Sequence, residues 1–153
     1  MIVKAKSEYA QQVCDVIKQS IQVLCVSDHK NDSDIIDSWL SNKTVSNCRS
    51  WIESKQNKSF VMIEEGVVSG ISMIGSNGYI YLCYVHPDKV GFGIGKSLLS
   101  ACETQAFEWS LSEITVDSTL TAKSFYESQG FHKNGEPFLE QNLWSYPLVK
   151  KLE

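Results

Sequence analysis

The chain has 153 residues, of which 42% are hydrophobic and 21% charged, with a formal charge of −4. That balance supports one buried core and excludes the disordered and fibrous classes, while scattered basic side chains with a single arginine, Arg49, exclude the dense basic face that DNA or RNA needs. No run approaches the ~18 apolar residues of a membrane span, and the N-terminus has no apolar leader core. Cys14, Cys25, Cys48, Cys83 and Cys102 form no C-x-x-C pair. The expectation is therefore one domain over residues 1–153 in a reducing cytoplasm, with neither membrane nor nucleic acid as partner.

Ile2 to Lys6 alternates as a strand, and Ser7 then stands as cap to a predicted helix in which Ala10, Val13, Cys14, Ile17, Ile21 and Leu24 recur at helical spacing. The polar stretch Ser27 to Ser33 interrupts it. Ile35, Ile36, Trp39 and Leu40 predict a second, shorter helix, and Trp51 with Ile52 a third turn, both tryptophans at core spacing. From Ser59 the pattern becomes strand-like: Phe60 to Ile63, Val67 to Ile74 and Tyr79 to Val85, separated by Glu65-Gly66 and Ser76-Asn77-Gly78 turns, predict three antiparallel strands. Ile94, Leu98, Leu99, Cys102, Ala106 and Trp109 mark one face of a long helix, and Ile114 to Ser118 a strand. Thr119 caps a helix over Ala122, Phe125 and Tyr126 that ends at Gly130. Leu143 to Val149 closes the chain as a strand whose edge pairs either internally or with a second copy, which would make a homodimer.

Between the third hairpin strand and the long helix lies Val90-Gly-Phe-Gly-Ile-Gly-Lys-Ser97. Glycines let backbone approach an anion closely, and the first amides of a helix are unpaired at the positive end of its dipole, so a pyrophosphate is the expected guest. Two familiar phosphate loops fail to match. The dinucleotide fingerprint needs G-x-G-x-x-G, whereas Gly91, Gly93 and Gly95 give G-x-G-x-G; the nucleotide P-loop ends as Gly95-Lys96-Ser97 does, but Val90 stands at its first glycine.

The run from Val85 through Val90-Gly91-Phe92-Gly93-Ile94-Gly95 to Leu99, followed by Ala122-Lys-Ser-Phe-Tyr126-Glu-Ser-Gln-Gly130-Phe131, resembles the GCN5-related N-acetyltransferase (GNAT) superfamily over nearly the whole chain. The resemblance implies an α/β fold, with a mixed and mostly antiparallel central sheet flanked by helices. It also implies acetyl-CoA as co-substrate, no metal, and direct acetyl transfer to an amine of a small molecule or peptide.

The family pattern Q/R-x-x-G-x-G/A aligns with Val90 to Gly95, so Val90 replaces a long polar side chain, and Thr119 stands where the family often has Asn. By resemblance, Val90, Gly91, Phe92, Gly93, Ile94, Gly95, Lys96 and Ser97 hold the cofactor's pyrophosphate. An amide among Cys83, Tyr84 and Val85 polarises the carbonyl, and Thr119, Ala122 and Phe125 complete the cofactor site. Tyr126 matches the tyrosine that protonates the CoA sulfur, or else packs with Phe125 and Phe131.

Asp117, at a strand end next to the sulfur site, takes the amine proton or ties down a loop. Asp28 and His29 fall where the resemblance implies the acceptor wall, and either bind substrate or serve as helix cap and solvated loop residue. Lys89, Lys96 and Lys133 are candidate phosphate contacts. His29, His86 and His132 are isolated, without metal-ligand spacing. Val90 and the lack of a glutamate between Tyr79 and Val85 motivate a second reading, an acyl-CoA-binding regulatory or partner module with little turnover.

Overall fold

The strand-like pattern from Ser59 onward resolves, in a computed structural model describing residues 1–153, into β2 (Asn57–Glu64), β3 (Val67–Gly75) and β4 (Ile80–Val85). With β1 (Ile2–Lys4) they form an antiparallel sheet in the order β1-β2-β3-β4. A second sheet holds β5 (Glu113–Ser118), β8 (Leu143–Lys151) and the short β6 (His132–Lys133), with β7 (Phe138–Glu140) also paired to β8. The helices are α1 (Ala10–Leu24), α2 (Val26–His29), α3 (Ser33–Leu40), α4 (Val45–Glu53), α5 (Ile94–Glu108) and α6 (Leu120–Ser128).

The two sheets touch through one parallel bridge, Tyr79 to Thr115, where the Thr115 N–H donates to the Gly78 carbonyl at 3.0 Å. Gly78 has φ +84°, and a Cβ there would meet the Glu113 carbonyl at 3.0 Å, so glycine is what lets the strands come together. Beyond the bridge β4 and β5 diverge, which opens the site described below.

Apolar spacing explains the layers. Val13, Ile17 and Ile21 of α1 pack with Cys48 of α4 against Val61, Ile71, Met73 and Leu82 on one face of the first sheet. Leu99, Cys102 and Ala106 of α5 pack on the other face against Ile74, Ile80, Ile114 and Leu148, bridging both sheets. Each buried Val, Ile, Leu or Met among them is worth about 1.5–3 kcal/mol relative to exposure. No helix is long and apolar enough to cross a membrane.

Two local expectations need correction, and one open alternative is decided. Ser7 begins a 3-10 turn rather than capping α1, and its hydroxyl donates to Glu53 Oε2 at 3.0 Å. The interruption after α1 is sharper than a polar loop: Lys30 and Asn31 both adopt left-handed backbone (φ 54° and 59°), leaving α2 as a single turn. Of the two pairings open to the Leu143 to Val149 strand, the internal one is present: β5 lies along one side of β8, and β6 and β7 along the other.

A cleft where the strands diverge

The divergence of β4 and β5 leaves a cavity of about 500 Å³, walled by both strands, the glycine loop, the start of α5, one face of α6 and the end of α1. Its volume falls in the range of a small-molecule site.

The glycine loop forms the phosphate end. Gly91 (φ +91°) and Gly93 (φ +77°) are left-handed, and a Cβ on either would meet no atom within 4 Å, so both positions border open space. Gly93 is also the N-cap of α5 and supplies no side chain, leaving the amides of the first turn unpaired. A diphosphate fits such a cradle, which offers backbone N–H groups, the positive end of a 15-residue helix, and Lys89 and Lys96 in the same wall. Gly95 lies inside the helix, where a Cβ would touch the Phe125 ring at 3.5 Å. Val90, 54% exposed, also lines the wall.

Phe92 and Ser97 do not. The left-handed glycines on either side turn Phe92 outward to 75% exposure, and Ser97 lies a full turn into α5, with its N–H donated to the Gly93 carbonyl at 3.1 Å.

Strand register decides which β4 amides reach the cleft. The His86 N–H donates to the Ser69 carbonyl at 2.8 Å, which makes Ser69 and His86 a hydrogen-bonded pair. Antiparallel pairs alternate, so Ile71 and Tyr84 are bonded too, and the peptide groups of Cys83 and Val85 point away from β3 toward the gap. Tyr84 therefore contributes a side chain to the wall, not an amide.

On the opposite wall α6 presents Ala122, Phe125 and Tyr126. The helix begins where the Thr119 hydroxyl accepts from the Ala122 N–H at 3.0 Å, and beyond its end Gly130 takes φ +96°. Tyr126 lines the cleft, and its ring packs edge-on against Phe125 and Phe131, with ring centroids 5.3 Å apart in each case, which is the packing weighed from the sequence. Burial holds its phenol well above the usual value, reinforced by the neighbouring Cys83 thiol, itself pushed up to about 12 by burial.

The residues expected at the acceptor wall separate. His29 is 0% exposed, and both ring nitrogens are engaged: Nδ1 accepts from the Asn31 N–H at 3.0 Å, so Nε2 carries the proton toward the Ile21 carbonyl at 2.9 Å. It is a structural plug between α1 and α2, and contacts no cleft. Asp28 is also structural, accepting from the Leu120 and Thr121 N–H groups at 2.7 and 3.1 Å, and Asp32 caps α3. Lys133 pairs with Glu136 away from the cleft.

Asp117 does line the cleft, exposed, and accepts from the Tyr79 hydroxyl at 2.8 Å. Sequence reading passed over Tyr79 and Tyr81 at the wall. Their alternation with buried Ile80 was the available signal.

Known proteins share this fold. A GCN5-related N-acetyltransferase structure from Rhodopseudomonas palustris superposes with TM-score 0.88 at 20% identity, covering 99% of this chain and 95% of that one. PaiA N-acetyltransferase from Thermoplasma acidophilum, solved with coenzyme A, gives 0.86 at 17%, covering 99% and 98%. An uncharacterised acetyltransferase encoded in the arcA 3′ region of Streptococcus pyogenes is 34% identical over 65 residues, which is 42% of this chain and 44% of the relative, less than half of its length. The sequence pattern described as acetyltransferase (GNAT) domain matches residues 25–152, and with that the chain belongs to the GNAT family.

Proposed function

We propose that this protein transfers an acetyl group from acetyl-CoA to the nitrogen of an amine by direct attack. The observation that carries the reading is the union, in one cleft, of an anion cradle at Gly91 and Gly93 with two β4 peptide groups turned into the gap and Tyr126 across from them. The cradle suits the pyrophosphate of CoA. The free N–H of Cys83 or Val85 suits the carbonyl oxygen as it gains charge, and the same strand edge suits an extended pantetheine arm.

Tyr126 serves as a hydrogen-bond donor to the departing sulfur rather than losing its proton to it. A thiol of ordinary acidity has a pKa of about 8.5 and a phenol one of about 10, and burial raises this phenol further, so the proton stays on oxygen. The thiolate's proton comes instead from the nitrogen, which must shed one to become an amide; the products are the N-acetyl compound and free CoA. Five free thiols suit a reducing compartment, which is where we place the protein.

The test is calorimetric titration with acetyl-CoA, CoA and ATP, for the native chain and for Gly93→Glu. Micromolar acetyl-CoA binding, lost in the variant and stronger than for ATP, supports the reading; no CoA binding defeats it. Val90, an aliphatic side chain in the cradle wall, favours a second reading, an acyl-CoA-binding module with little turnover. The two separate on Tyr126→Phe. An enzyme loses about 10²-fold or more in kcat while keeping affinity for acetyl-CoA, whereas a binding module releases no CoA in either form.

A further inference from the structure

Charge is segregated along the cleft. Its cations, Lys89 and Lys96, both sit at the glycine loop, and Asp117 is the sole carboxylate in the wall. Along β5, Ile114, Val116 and Ser118 are buried, so Asp117 and Thr115 face the other side of the sheet. Tyr79, bridged to Thr115, faces that side too, and its ring leans on Tyr81 at 4.8 Å.

The carboxylate is held by groups that are themselves held. The Tyr79 hydroxyl donates to Asp117 Oδ2 at 2.8 Å, and the Tyr79 main chain is fixed by bonds to Asn77 Oδ1 (3.1 Å) and from the Gly75 N–H (2.9 Å). Asp117 joins none of the six ion pairs of the chain. One Tyr79 bond leaves most of the carboxylate's acceptor capacity directed at solvent, and Tyr81, half-exposed in the same wall, adds an aromatic ring of the kind that suits a cation.

A carboxylate favours the charged form of an ammonium beside it, and a charged nitrogen has no lone pair with which to attack a thioester. A nitrogen seated on Asp117 is thereby kept out of the reaction.

We infer that Asp117, positioned by Tyr79 and flanked by Tyr81, anchors a non-reacting cationic group of the acceptor, which is therefore a small amine bearing a second cationic centre. The inference rests on the acetyltransferase reading of the same cleft and narrows its acceptor. It makes Asp117 a specificity residue instead of the base, and Tyr79 a positioning residue.

Binding is tested first, by calorimetric titration of the CoA-saturated protein with 1,4-diaminobutane and with the uncharged 1,4-butanediol. The dication is expected to bind about 10-fold or more tightly, the range of one charge-assisted hydrogen bond. Asp117→Asn removes the difference, and Tyr79→Phe, which keeps the ring, loses part of it. Equal affinity for the two probes, or a difference that survives Asp117→Asn, overturns the inference.

Turnover separates anchor from base. With acetyl-CoA, Asp117→Asn raises KM for 1,4-diaminobutane at nearly constant kcat, and n-butylamine, whose one nitrogen sits charged on Asp117, inhibits acetylation of the diamine. A fall in kcat at constant KM for both amines makes Asp117 the base and overturns the inference. Should CoA fail to bind, the acetyltransferase reading falls by itself, and the dication titration of the free protein still decides the anchor.

Discussion

Asp28 and Thr121, 93 residues apart in sequence, are joined at the N-terminus of α6: the Asp28 carboxylate accepts from the Leu120 and Thr121 main-chain N–H groups and from the Thr121 hydroxyl. An acidic group at this end also complements the helix dipole. The cap of α6 is thus shared between its own Thr119 and a residue on α2, and α6 is the helix that carries Tyr126. Asp28→Ala is expected to lower stability by about 1–2 kcal/mol, measured by urea unfolding, and to reduce kcat more than acetyl-CoA affinity because Tyr126 loses its fixed position. A kcat unchanged alongside the lost stability refutes the link.

His29 makes the companion case. Its ring fills a site closed to solvent and satisfies one donor and one acceptor of the main chain, while its edge meets Trp39 at 6.3 Å. Truncation to alanine leaves a cavity and two unpaired groups, with an expected cost of about 2–5 kcal/mol. The KM for an amine acceptor, taken at a temperature where the variant is folded, stays within about two-fold, the spread of neutral substitutions; a large rise in KM at constant stability would return His29 to the acceptor site.

These two residues show where the sequence was legible and where it was not. The glycine loop, the three hairpin strands, the Thr119 cap and the Gly130 terminus could be read because each depends on neighbours within a few positions. Asp28 and His29 sit in a polar run that looks like a loop, and nothing local says that one will cap a helix 92 residues later or that the other will be sealed by left-handed turns at Lys30 and Asn31. The same limit hid Tyr79. Its partner Asp117 lies 38 residues on, brought close only when the sheets meet.

Val90 tests the cradle from the other direction. It lines the cleft with an apolar side chain half open to water, so replacing it disturbs no core. Val90→Arg adds a planar donor fork suited to phosphate oxygens. The expected result is acetyl-CoA binding tighter by about 3–10-fold at low salt, converging on the native value as ionic strength rises. No gain at any salt concentration would place the phosphates elsewhere.

The buried thiols set an alkaline limit on the fold. Burial pushes Cys25, Cys48, Cys83 and Cys102 from 9.0 up to about 12, with neighbouring Asp28 adding at Cys25, Cys14 at Cys48 and Cys102 at Cys83. The folded chain therefore keeps these protons where the unfolded chain has released them. Stability from this source is complete below pH 9 and declines as pH rises from 9 toward 12, with a slope that grows by up to one proton per thiol. Urea unfolding at pH 8 and pH 10 measures it, with a lower midpoint expected at pH 10. Cys102→Ala should begin less stable, having lost a buried sulfur, yet show the shallower decline between the two pH values; an unchanged slope would mean that Cys102 ionises in the folded protein as it does in the unfolded one.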